Sequence, residues 1–237
     1  MSKFCLFVLI AASLGTTAAS AQTSFHFGVR AGGNLARETQ TTAGPRFVNY
    51  ATDEKVGPRL AEQVGVVAEA RFGRLAFQPA LLFSQKGSRN TVTFSSSSPG
   101  FTPYDYYSSQ NITRTNWLEM PLNFVYTPAV DHGFQVFAGP YVGLGLGGQQ
   151  ISAGYLTSSS GAARQDFSTE RPLSFGENGT YRRFDFGFNA GLGYRRGPLQ
   201  LQAGYGYGLR NLRNPFPVGG SSYNRVAQLT ATYFWGK

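Results

Sequence analysis

Leu199-Gln200-Leu201-Gln202-Ala203-Gly204-Tyr205-Gly206-Tyr207-Gly208-Leu209-Arg210 alternates without a break between apolar or aromatic residues and Gln, Gly or Arg. Successive side chains of an extended strand point to opposite faces, so this segment is a ribbon with one greasy side and one polar side. A soluble sheet alternates too, but its wet face is rich in Lys, Glu and Thr. Here the polar face is glycine-lined and weakly charged, a poor solvent surface and a good lining for a narrow lumen. The pattern predicts a strand with lipid on one side and a barrel interior on the other.

The same alternation recurs along the chain. Turn residues mark off eight segments, at 24–36, 60–72, 74–86, 114–127, 133–149, 181–195, 198–211 and 223–235. In 181–195, Phe184, Phe186, Phe188, Ala190, Leu192 and Tyr194 oppose Arg183, Asp185, Gly187, Asn189, Gly191 and Gly193. In 133–149, Phe134, Val136, Ala138, Pro140, Val142, Leu144 and Leu146 oppose Gln135, Gly139, Gly143, Gly145 and Gly147. In 223–235, Leu229, Ala231, Tyr233 and Trp235 oppose Gln228, Thr230 and Thr232. Short connections, at Phe72-Gly73-Arg74, at 128–132 and at Arg196-Gly197-Pro198, alternate with long polar ones at 37–59, 87–113 and 150–180 and a medium one at 212–222. These features predict an all-β protein, an eight-stranded antiparallel up-and-down transmembrane β-barrel with a filled lumen. It is expected as a monomer in the bacterial outer membrane with both termini in the periplasm. Tyr126, Phe134, Tyr194, Tyr233 and Trp235 fall near the short-turn ends, where an interfacial aromatic girdle belongs. A lipocalin-like soluble barrel would reverse the two faces, and the sparse charge on the polar face argues against it.

The first 21 residues read as an export signal rather than as structure. Lys3 forms a basic start, Phe4 to Leu14 an apolar run too short to span a bilayer, and Ala19-Ser20-Ala21 a cleavage site. The expected mature domain is 22–237. The single cysteine, Cys5, lies in the signal, which removes disulfides and thiol chemistry from the mature chain. Removing Lys3 from 21 basic residues leaves 20 against 12 acidic ones, so the net charge falls from +9 to +8. The bases are dispersed rather than blocked, and export excludes nucleic acid as the natural partner. Lipid phosphate, acidic polysaccharide or a solvated rim supplies the counter-charge.

Several strand motifs resemble one known family. Gly28-Val29-Arg30-Ala31-Gly32-Gly33-Asn34-Leu35 is similar to the opening strand of the PorT-like outer-membrane β-barrels of Bacteroidetes. Phe77-Gln78-Pro79-Ala80-Leu81-Leu82-Phe83-Ser84-Gln85-Lys86-Gly87 and Trp117-Leu118-Glu119-Met120-Pro121-Leu122 resemble two further strands. Phe137-Ala138-Gly139-Pro140-Tyr141, Asp185-Phe186-Gly187 and Gly191-Leu192-Gly193-Tyr194 resemble later ones. The resemblance runs through most strands in order and leaves the loops unmatched. It implies an outer-membrane β-barrel of the porin-family type, with envelope or secretion-machinery proteins as conceivable partners. Relatives usually end on an aromatic residue, whereas here Gly236-Lys237 follow Trp235.

By parity, Arg30, Glu69, Arg71, Glu119, Arg183 and Asp185 point into the lumen. At roughly 3.3 Å per residue, Arg30, Glu119 and Asp185 reach similar heights, so a paired cluster near mid-barrel is expected. It reads as a structural plug, with a gated path for ions or small solutes as the alternative. Pro79, Pro121 and Pro140 sit within strands and predict bulges or locally broken pairing. Phe101, Tyr104, Tyr106 and Tyr107 form an aromatic loop suited to a sugar or a protein partner, or equally to packing on one another or dipping into lipid headgroups. No cofactor or metal is expected, and an enzyme is disfavoured. His26 and His132 map to the short-turn ends, far from the loop carboxylates Glu38, Asp105, Asp166 and Glu177. Gly143-Leu144-Gly145-Leu146-Gly147-Gly148 lacks the lysine and the following helix of a phosphate loop.

Overall fold

The structure, a computed structural model, describes residues 23–42, 50–96, 106–129, 132–158, 163–214 and 220–235. The expected signal segment 1–21, Phe101, Tyr104, Asp105 and the terminal Gly236-Lys237 lie outside the described residues.

The described chain forms ten strands: β1 (Ser24–Thr42), β2 (Tyr50–Gly57), β3 (Arg59–Phe72), β4 (Leu75–Ser96), β5 (Tyr106–Tyr126), β6 (His132–Thr157), β7 (Gln165–Leu173), β8 (Phe184–Arg196), β9 (Leu199–Gly208) and β10 (Gly220–Trp235). Eight of them pair antiparallel in a closed ring, β1-β3-β4-β5-β6-β8-β9-β10. The seam between first and last strands runs from Phe27↔Trp235 to Thr42↔Gly220. Closure leaves no strand edge in the ring, so the spanning backbone pairs with neighbouring strands rather than with water, apart from the rungs at three prolines. Two hairpins at the terminal end turn tightly, with Gly73 at φ 61° and Gly197 at φ 57°. Glycine supplies the positive φ that such short hairpin loops need to match the twist of the strands they join.

The remaining two strands change the expected picture of the long connections. β2 pairs with the far end of β4, from Tyr50↔Ser96 to Gly57↔Arg89. β7 pairs with the far end of β6, from Gly148↔Leu173 to Leu156↔Gln165. The β5–β6 ladder itself continues to Tyr106↔Thr157. A five-stranded sheet, β2-β4-β5-β6-β7, thus extends from one side of the ring at the end opposite the termini. Much of 37–59, 87–113 and 150–180 is therefore strand rather than loop. Ser, Thr, Asn and Gln satisfy a ladder in water without the greasy alternation that a bilayer demands, so these parts carry no membrane-strand signal.

The protein is apolar outside and polar inside. Phe134 and Leu60 are 78% and 75% exposed, whereas Gln78 and Asp185 are 0% exposed. Tyr126, Phe134, Tyr194, Tyr233 and Trp235 are all outward, with the Phe134 and Tyr194 rings edge to face at 5.4 Å. The inward face is not uniformly polar, because Phe137 and Tyr141 on β6 are buried there too. Glycines make room for them. A Cβ on Gly204 would lie 2.6 Å from the Phe137 ring, and one on Gly187 would lie 2.8 Å from the Tyr141 ring. These glycines are thus notches filled by aromatics of β6 lying over the neighbouring β8 and β9.

The in-strand prolines interrupt pairing without shifting it. The β3–β4 ladder passes from Val67↔Ala80 to Ala70↔Phe77 around Pro79 in one register. The β4–β5 ladder does the same around Pro121, and the β5–β6 ladder around Pro140. Each proline lacks the N–H that its rung would use. The register shift falls instead between Asn116 and Trp117, where Leu146 is the extra residue on β6.

Candidate functional site in the barrel interior

Three layers fill the lumen. The layer nearest the termini centres on Glu69 of β3. Its carboxylate accepts from Arg195 Nη1 at 2.8 Å on both oxygens and from Arg71 Nε and Nη2 at 3.4 Å. His26 Nδ1 lies 3.2 Å away, and Gln78 donates to the same carboxylate. Arg195 also lies over the Phe234 ring at 4.7 Å. Glutamines continue the network: Gln200 donates to Gln135 at 2.7 Å, and Gln135 donates to Thr127 at 2.9 Å. Arg30 belongs to this side of the network, donating to Thr232 at 2.9 Å and to Gln78 at 3.5 Å.

The middle layer centres on Lys86 of β4. Its ammonium sits 2.5 Å from Glu119 and 3.6 Å from Asp185, with the Tyr141 ring 4.8 Å away. Asp185 accepts further from Tyr141 Oη at 3.1 Å and Asn224 Nδ2 at 2.8 Å. Beside it, Gln63 donates to Asn34 at 2.7 Å and Asn34 donates to Ser84 at 3.0 Å. Buried charge is costly unless it is paired and hydrogen-bonded, and here each buried carboxylate of these two layers faces a cation. The space left among Arg30, Lys86, Glu119 and Tyr141 is about 20 Å³, the room of about one water molecule.

The third layer is an apolar cap at the end opposite the termini. Trp117, Leu173, Tyr181 and Leu212 are buried together, with Phe175 edge-on to Trp117 at 5.3 Å. Gly145 leaves the gap that the Phe175 ring fills. The segment 174–181 is tied into a compact turn by Tyr181 N–H donating to Ser174 O at 3.1 Å and Gly176 N–H to Tyr181 O at 2.9 Å. The Tyr181 hydroxyl donates to Glu38 at 3.0 Å, and Ser222 Oγ donates to the same oxygen at 2.8 Å. Burial pushes the Tyr181 phenol well above its ordinary range, and the Glu38 carboxylate pushes it further, so it remains a donor.

Five of the six predicted lumen charges, Arg30, Glu69, Arg71, Glu119 and Asp185, do face inward. They form two groups rather than one. Glu119 and Asp185 meet through Lys86, and Arg30 pairs with neutral partners. Arg183 is a correction: it is exposed. β8 begins only at Phe184, and Gly145 N–H donates to the Arg183 carbonyl where the chain bends away, so strand parity does not reach it. Lys86 and Arg195 are buried lumen charges that the predicted set lacks. Both were within reach of parity, Lys86 by counting from Gln78 and Arg195 by counting from Asp185. Glu38 is likewise buried in the barrel rather than displayed on a loop. Asp166 and Glu177 are exposed, and Asp166 pairs with Arg164 at 2.8 Å. Tyr106 and Tyr107 lie on β5, not in a loop. Tyr107 stands between Phe94 at 5.6 Å and Phe167 at 5.7 Å, and Tyr106 packs on Tyr155 at 5.9 Å. Among the described residues no group of three or more His, Cys, Asp or Glu could hold a metal ion.

A closed antiparallel ring, apolar where it meets lipid and polar within, defines a transmembrane β-barrel. The chain matches the outer membrane protein beta-barrel domain over residues 20–214 and belongs to that family, a family of the bacterial outer membrane. No curated protein matches the sequence. Among solved structures, the chain is similar to Ail, the attachment invasion locus protein of Yersinia pestis, with 9% identity over 90% of this chain and 99% of that one and a TM-score of 0.39. It is also similar to the neisserial surface protein A, with 12% identity over 87% and 96% of the two chains and a TM-score of 0.34. The outer membrane protein OprG of Pseudomonas aeruginosa is similar at 13% identity over 91% and 98%, with a TM-score of 0.35.

Proposed function

We propose that this outer-membrane barrel is a non-enzymatic structural or interaction protein, a plugged anchor that holds the β2-β4-β5-β6-β7 sheet outside the cell. The observation that carries this reading is the filled lumen: two paired charge layers and an apolar cap occupy it, and the cavity among Arg30, Lys86, Glu119 and Tyr141 has room for about 20 Å³. In this reading residues 1–21 are removed on export, both termini lie in the periplasm, and the chain works as a monomer surrounded by outer-membrane lipid. The strand motifs support a kinship with PorT-like barrels, with envelope or secretion-machinery proteins as candidate partners of the projecting sheet.

Two measurements test it. In planar bilayers the chain should give no conductance steps. Reproducible steps that disappear when the Lys86 layer is altered would instead make it a narrow channel. For orientation, Asn178→Cys introduces a thiol on a chain whose native cysteine, Cys5, lies in the expected signal. Labelling of intact cells by a membrane-impermeant maleimide is expected. Labelling only after the outer membrane is broken would reverse the orientation.

A further inference from the structure

The ring end that bears the cap also carries a cationic concavity that the lumen chemistry does not use. It measures about 750 Å³ and is lined by Arg182, Arg183 and Arg210 with Phe184, Glu177 and Asn214. Three guanidiniums face one carboxylate there. Among the described residues, no carboxylate comes within ion-pairing reach of Arg182, Arg183 or Arg210. The wall is fixed rather than loose: Asn214 Nδ2 donates to the carbonyls of Gly176 and Gly179 at 2.7 and 2.6 Å. Arg182 N–H donates to Leu212 O at 2.7 Å.

The height of this site in the wall decides its ligand. Phe184, the first residue of β8, and Leu209, the residue after β9, are the last outward apolar side chains there, 52% and 45% exposed. Arg183 and Arg210 each stand one residue further toward the capped end, and Leu209 N–H donates to Phe186 O at 2.9 Å, which ties the two strand ends together. On these two strands Arg183 and Arg210 therefore follow directly on the last outward apolar side chain, a position suited to headgroups, with an aromatic ring of the lipid face lining the same concavity. Arg225 marks the same rim on β10, stacked on Tyr207 at 3.6 Å. Guanidinium groups match phosphate oxygens with two parallel donors, and such pairs are strong where lipid excludes water. A soluble anion would use the guanidiniums and leave Phe184 idle. An amphiphile uses both.

We propose that the concavity formed by Arg182, Arg183 and Arg210 against Phe184 binds the phosphate-bearing headgroup of an outer-leaflet glycolipid. Its acyl chains would run down the β8–β9 face past Phe186 and Tyr205. The inference rests on the proposed orientation, which the maleimide experiment decides separately from lipid binding. The test uses the whole chain folded in a neutral detergent. Native mass spectrometry would follow titration with diphosphorylated lipid A, with its dephosphorylated form, and with inorganic phosphate.

Retention of the diphosphorylated lipid, at least about tenfold tighter than the dephosphorylated one, is expected. Arg183→Gln with Arg210→Gln should abolish that difference, and Arg183→Lys with Arg210→Lys should keep part of it. The heat-modifiable gel shift of a folded barrel would report that each variant is folded. Equal retention of both lipids, or an unchanged preference in the folded Gln variant, would overturn the proposal. Inorganic phosphate binding as tightly as the lipid would overturn its lipid source. An Asn178→Cys chain labelled only from the periplasm, with lipid preference intact, would refute the orientation while leaving the site.

Discussion

Lys86 is the side chain on which the middle of the barrel depends, because among the described residues it is the cation that pairs with both Glu119 and Asp185. Replacing it with methionine keeps most of the volume but leaves two carboxylates without their shared cation. Breaking a buried charge cluster in this way costs about 3–5 kcal/mol. Lys86→Met should lower unfolding stability in vesicles by that order, measured by urea titration. Glu119→Gln should cost less, since Asp185 continues to hold the ammonium. Combining Lys86→Met with Glu119→Gln and Asp185→Asn should recover part of the loss, which a purely steric effect of the methionine would not do. The carboxylates of this cluster are legible in the sequence because Glu119 and Asp185 sit among alternating apolar neighbours. Lys86 is in phase with Gln78 but closes the predicted segment 74–86, and with only a long polar stretch after it nothing in the sequence sets its charge apart from the rim. Arg183 fails the other way, standing in phase with Asp185 but beyond the point where the strand begins.

At the scale of the strand, the glycines of β8 and β9 are sockets. Gly204 accepts the edge of Phe137, whose Cζ would lie 2.6 Å from any added Cβ. Gly204→Ala should therefore cost about 1–3 kcal/mol through overpacking. Phe137→Leu in the same chain should relieve most of that cost, which a double-mutant cycle in thermal unfolding would detect. The spanning parts of all eight ring strands are readable from period-two alternation, since lipid requires an apolar outer face at every second position. The projecting halves of β4, β5 and β6, and the whole of β2 and β7, are not. In water their ladders tolerate Ser, Thr and Gln on both faces, and the cross-strand partner is named only by register. The prolines teach a similar limit. Pro79, Pro121 and Pro140 announce broken rungs correctly, but an interruption in constant register and a bulge have the same sequence signature, and the bulge at Trp117 has no proline beside it.

For the whole molecule, the apolar band sets how the barrel tolerates change. A charge at mid-membrane depth costs far more than one at the rim, where the side chain can reach water. Ala203→Arg should lose about 2–4 kcal/mol of stability in bilayers, and Leu199→Arg, beside the terminal-end turn, about 0–1 kcal/mol. Equal losses would mean that the band lies elsewhere on the wall. The inside-out arrangement also bears on the chain before it folds. Its mean hydropathy is −0.22, below zero despite an outer face built from Phe, Leu and Tyr, because polar inward residues alternate with the greasy ones and long polar segments join the strands. Along the alternating strands no long continuous apolar run builds up, so the open chain's affinity for fat is latent. Only when the last strand meets the first are the two kinds of side chain sorted, and the same event that hides the amides from water turns the polypeptide into a lipid-soluble object.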